Sequence, residues 1–207
     1  MEDEDKNSGK DRIRNEEQKR EGGKRKLMLE EGMLFSIKLQ DNAWTLGQLC
    51  NLFKLEGRKY EQYTLAFFNY IFLSETELKE NINSLDLSMP IIILTINGHP
   101  IRTYKIEFIG NREIDYRNVP NYKNEIDQSL GLYQGKSSDF DYLLLGYFGL
   151  FPYDGYYKDN LIDDFLTYGT TKRNDVKYMK DYSIEELKQI MPANSVKLKD
   201  LLLLHVD

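Results

Sequence analysis

Apolar positions begin to alternate at Met33, where Met33, Phe35, Ile37 and Leu39 fall on one side of an extended chain and Leu34, Ser36 and Lys38 on the other. Successive side chains of a strand point to opposite faces, so MLFSIKL predicts a half-buried strand. Gln40-Asp41-Asn42 are turn formers and predict a hairpin into AWTLGQLCNLF. After a second polar break, KLEGRKYEQ, the aromatic and β-branched run YTLAFFNYIF predicts a third strand, and the three together an antiparallel meander.

Further along, the periodicity changes. Ser74, with Glu77 three residues on, predicts a capping box and a short helix over SETELKENI. PIIILTING is a continuous apolar run, short and β-branched, and predicts a buried strand ending in a turn at Asn97-Gly98. IRTYKIEFIG alternates and predicts another strand, whereas Asn111 to Ser138 is polar and predicts mostly loop. Order resumes at DYLLLGYFG. In KDNLIDDFL, Leu161, Ile162, Phe165 and Leu166 recur at helical spacing, with Asp159 placed to cap. YSIEELKQIMP predicts a helix capped by Ser183 and Glu186 and stopped by Pro192, and VKLKDLLLL a closing strand or apolar docking segment. The sum is an α+β, β-rich fold: an antiparallel meander or small barrel with two or three short helices packed against it.

Residues 1–32 break this pattern. EDED, EEQKREGGKRK and LEEG contain almost nothing apolar to bury, which predicts a charged tail that is disordered or a loosely formed helix, dispensable for folding, ahead of a single globular domain over 33–207. The whole chain of 207 residues carries a net charge of −6, which argues against nucleic-acid binding, since that needs a clustered basic face, and favours basic partners. No apolar run nears the ~18 residues that would span a bilayer. The acids of MEDEDKNSGKDR are unlike a secretory signal, so no membrane association and a cytoplasmic location are expected. Cys50, the only cysteine, sits in the apolar run LGQLCNLF and predicts a small buried hydrophobe.

Aromatic rings and carboxylates are densest in GYFGLFPYDGYYKDNLIDDFL, Gly146 to Leu166. Tyr153, Tyr156 and Tyr157 beside Asp154 and Asp159 suit a recognition surface, because Tyr gives large contact area at low entropic cost and the acids set which partner is tolerated. The same residues equally suit a structural corner, with Pro152 fixing a turn and Asp154-Gly155 a tight bend. Trp44, the only Trp, reads as a core-edge residue or an interface anchor. The candidate partner-binding set is therefore Trp44, Tyr153, Asp154, Tyr156, Tyr157 and Asp159. Catalytic residues, a cofactor and a metal site are not expected. No Ser/His/Asp order, paired Cys or phosphate-cradling Gly loop occurs, and His99 and His205 lack ligand spacing. The adjacent Asp163 and Asp164 would point about 100° apart on a helix.

Three stretches, in order, resemble a known family. EEGMLFSIKLQDNAWTLGQL, PIIILTINGHPIRTYKIEFIGN and GYFGLFPYDGYYKDNLIDDFL are similar to the opening, middle and distal segments of the bacterial immunity protein 26 family, and together cover most of Met33 to Leu166. The most specific part is Phe151-Pro152-Tyr153-Asp154-Gly155 with Asp159 and Asn160; Tyr153 stands where that family usually has Trp. The resemblance implies a small cytoplasmic inhibitor that binds and neutralises a cognate toxin domain of a polymorphic toxin system by occlusion, without catalysis. A nuclease-type toxin is the expected partner. The residues alone leave open a non-catalytic β-barrel binding or regulatory module of unknown ligand, and a hydrolase using Asp154 and Asp159.

Overall fold

Alternation and turn chemistry build the sheet. β1 (Met33–Gln40) turns through Asp41-Asn42 into β2 (Ala43–Phe53), and β3 (Gln62–Phe68) and β4 (Pro90–Asn97) follow, each antiparallel to the strand before it. β5 (Glu107–Asn111) returns to the far edge and pairs antiparallel with β1, giving the order β4-β3-β2-β1-β5. The sheet is open, so the meander stands and the barrel does not. The structure, a computed structural model, describes residues 29–53, 62–97, 106–119 and 139–204. The charged leader through Met28, the break at 54–61, the turn at Gly98 with the first half of IRTYKIEFIG, most of the polar loop, His99 and His205 lie outside the described residues.

Four α-helices occur among the described residues rather than two or three: α1 (Glu75–Asn81), α2 (Asp139–Tyr147), α3 (Ile184–Ile190) and α4 (Val196–Leu203). α3 has the full capping box, with Ser183 Oγ accepting from the Glu186 amide at 3.3 Å and Glu186 Oε2 accepting from the Ser183 amide at 2.7 Å. α1 has half of one. Ser74 Oγ accepts from the Glu77 amide, but the Glu77 carboxylate reaches the Leu73 amide instead of that of Ser74. VKLKDLLLL is neither strand nor loose docking segment: it forms α4, capped by Ser195, because Leu198, Leu201 and Leu202 recur at helical spacing and pack inward. KDNLIDDFL yields only a short 3-10 helix, Ile162–Phe165, with no side-chain cap from Asp159.

Both faces of the sheet are covered, which corrects the half-buried reading of β1. Leu34 is 0% exposed and Phe35, its neighbour on the opposite face, 1%. On one face Phe35, Leu65 and Phe67 pack with Phe140 and Leu144 of α2; on the other Leu34, Leu46 and Phe68 pack under Leu78 of α1. Each such Leu or Phe contributes about 1.5–3 kcal/mol when fully buried. Ser36, also buried, donates its hydroxyl to Glu75 Oε1 at 2.5 Å, so that polar group keeps a partner. Cys50 is buried as the sequence predicts, and desolvation pushes its thiol up to about 12. Residues 29–32, grouped with the charged leader by sequence, are tied to the sheet: the Gly32 amide donates to Leu49 O at 2.8 Å and Glu31 Oε1 accepts from the Leu52 amide at 3.0 Å.

Candidate functional site

α2 covers one face of the sheet and is followed by Gly149, whose φ of +70° reverses the chain into Phe151-Pro152-Tyr153-Asp154-Gly155. Phe151 joins Leu187 of α3, Met191 at the end of α3 and Leu198 of α4 in a third apolar cluster. The two terminal helices are thereby fastened to the aromatic segment. Gly155 has no room for a side chain, since a Cβ there would lie 2.7 Å from the Phe151 ring.

Tyr153 and Asp154 form the frame of this corner. Tyr153 is 1% exposed and its hydroxyl donates to Asp163 Oδ1 at 2.6 Å. Burial, and then that hydrogen bond, hold its phenol above the ordinary value. Asp154 Oδ1 accepts from the Met179 amide at 2.7 Å, and the Tyr153 amide donates to Lys177 O at 2.7 Å, so the corner is pinned to the strap that precedes α3.

The next residues face outward. Tyr156 is half-buried, donates its hydroxyl to Tyr142 O, and has its phenol raised by burial, whereas Tyr157 is 86% exposed. They line a cleft of about 370 Å³ between α2, the aromatic segment and the first turn of α4. Its inner wall is a run of rings: Tyr142 meets Phe151 edge-on at 5.7 Å between centroids, and Phe151 meets Tyr156 at 5.2 Å and 51°. Lys197 closes the rim. Its ammonium donates to the Asp159 carboxylate and to Asp154 O. The Asp159 carboxylate is 83% exposed, so the ion pair is held on the outside of the cleft.

The six residues singled out by sequence thus separate into three groups. Tyr156 and Tyr157 line the cleft and Asp159 stands at its rim, while Tyr153 and Asp154 lie behind it as supports. Trp44 is elsewhere: it packs with the cluster on the opposite face of the sheet, and its backbone pairs with Phe72. Sequence reasoning missed Tyr142, Val196 and Lys197. For the last two the signal was present, because Asn194-Ser195 ahead of Leu198, Leu201 and Leu202 is a capped helix start. Among the described residues there is no group of three or more His, Cys, Asp or Glu that could hold a metal ion, and no helix long and apolar enough to cross a membrane. No protein-family model, curated protein or solved structure matches the chain.

Proposed function

We propose that this protein is a cytoplasmic, non-catalytic inhibitor that binds a cognate bacterial toxin domain and occludes it, with the aromatic segment as the contact surface. The observation that carries this reading is Tyr157, a large aromatic 86% exposed at the mouth of an aromatic cleft, on a segment whose neighbours Tyr153 and Asp154 are fixed from behind. A ring held out on a rigid frame loses little conformational freedom on binding, which is the property of an interface anchor. The similarity of this segment to the distal motif of immunity protein 26 supplies the kind of partner. The net charge of −6 favours basic partners, as many nuclease-type toxins are.

The test is affinity for the toxin domain encoded beside the gene, measured for the wild type and for Tyr157→Ala and Asp159→Ala. Both positions are exposed, so both variants should melt as the wild type does. At least one should lose about 1–3 kcal/mol of binding. Absence of binding by the wild type would end the proposal; wild-type affinity in both variants would move the contact surface off this segment.

A further inference from the structure

The cleft has a chemical character of its own, separate from the exposed rim. Its lining is aromatic and aliphatic except for Asn194, Ser195 and Lys197, and Lys197 is the only charged side chain that lines it among the described residues. We propose that the cleft is a binding site for a small aromatic carboxylate, with the ring against the Tyr142, Phe151 and Tyr156 wall and the carboxylate on the Lys197 ammonium.

Three observations carry this. The volume of about 370 Å³ lies at the small end of the ~300–1,000 Å³ typical of ligand clefts, enough for one or two rings. The wall rings already meet edge-on and tilted, which is the arrangement a further ring extends most favourably. Finally, Lys197 is available for exchange. An ammonium has three donors, of which Asp159 and Asp154 O take two, and the Asp159 carboxylate is mostly in water, where an ion pair contributes little. An incoming carboxylate takes the third donor or displaces Asp159, and leaves no buried charge unpaired. A cationic ligand seated against the same wall would meet the ammonium at the rim and be repelled. This inference does not depend on the toxin-binding reading.

The experiment is an NMR titration of the full chain with phenylacetate, phenethylamine and cyclohexylacetate. Phenylacetate should give saturable shifts centred on Tyr157, Val196 and Lys197, with the amine and the cyclohexyl acid at least about tenfold weaker. Val196→Trp, at an exposed position on the cleft wall, should fill the cleft and abolish binding with the melting temperature unchanged. Lys197→Met should weaken phenylacetate about tenfold, and Lys197→Arg should restore it to within about threefold, which a merely structural role for Lys197 would not produce. Absence of saturable shifts, equal affinity for acid and amine, or binding that survives Val196→Trp would each overturn the proposal. So would concentration-dependent self-association that excludes phenylacetate and is blocked by Val196→Trp, since the cleft would then be an interface between copies. Toxin binding without phenylacetate binding would remove this inference and leave the proposed function standing; the reverse would do the opposite.

Discussion

The sheet and the aromatic segment are built from the same kinds of residue and use them in opposite ways. In the sheet, rings such as Phe35 and Phe67 are enclosed by helices or loops on both faces and their contact potential is consumed internally. In the aromatic segment the rings form a series from enclosed to free: Tyr153 buried, Tyr156 half-buried, Tyr157 exposed. A run of aromatics therefore says only that large apolar area is present; what leaves some of it available is a corner that turns the later residues outward while hydrogen bonds hold the earlier ones inward.

The most severe way to break this comparison is in the sheet. Phe67→Ala removes a fully buried ring that contacts Phe35 edge-on and stacks on Phe140, and should cost about 3–5 kcal/mol in chemical denaturation. A loss below that found for Asp154→Ala would mean that the corner, not the sheet, dominates stability. Next in size is alkaline sensitivity, which spans both regions. Cys50 in the sheet and Tyr153 and Tyr156 in the segment hold their protons more tightly than their ordinary values of 9.0 and 10.0 imply. Their stabilising contribution is complete below those values and is lost as pH rises toward the folded ones, so the melting temperature should fall steadily from about pH 9 upward. A flat profile to pH 12 would contradict the burial of all three groups.

Smaller effects sharpen the distinction within the segment. Asp154→Ala leaves the Met179 amide without its acceptor and should cost about 1–3 kcal/mol. Ser183→Ala opens the capping box of α3 and should cost about 1 kcal/mol, a loss confined to the helices behind the cleft. Tyr157→Ala should change stability by less than about 0.5 kcal/mol. Equal losses for Tyr157→Ala and Asp154→Ala would erase the division between frame and exposed residues.

How far the sequence could be read follows the same physics. β1 to β4 were legible because alternation and turn residues act over a few neighbours, and α3 because its box is local. α4 was obscured by its own apolarity: in KLKDLLLL the alternation over Lys197 to Lys199 and the unbroken run Leu201 to Leu204 read as a strand, and hide the helical stripe of Leu198, Leu201 and Leu202. The partner of β5 was invisible, since alternation gives the faces of a strand but not the edge it joins. At the site, the density of rings and acids over Tyr156, Tyr157 and Asp159 was legible, and the cleft they line or edge was not. That Tyr153 and Asp154 point inward was not, because a corner and a contact surface draw on the same residue types. The capped start of α4 could have placed Lys197 on a helix, but its pairing with Asp159 across 38 residues of chain is a contact that local pattern does not give.

The strand order has a consequence for the chain as it is made. The β1–β4 meander is complete by Asn97, but among the described residues its β1 edge is paired by β5 at 107–111, and its β4 edge is met by Leu166 and Thr167, through the Ile92–Leu166 bridge and the Thr167 amide on Ile91 O. A ribosome delivers these pieces in that order. For the time between them, the nascent meander presents rows of unpaired amides and carbonyls along a strongly apolar sheet, the form most prone to join a neighbouring chain. Segments far apart in the sequence thus act as late seals, and a message truncated before Glu107 would yield a product destined for aggregation or chaperone capture, although every residue of the meander would be present.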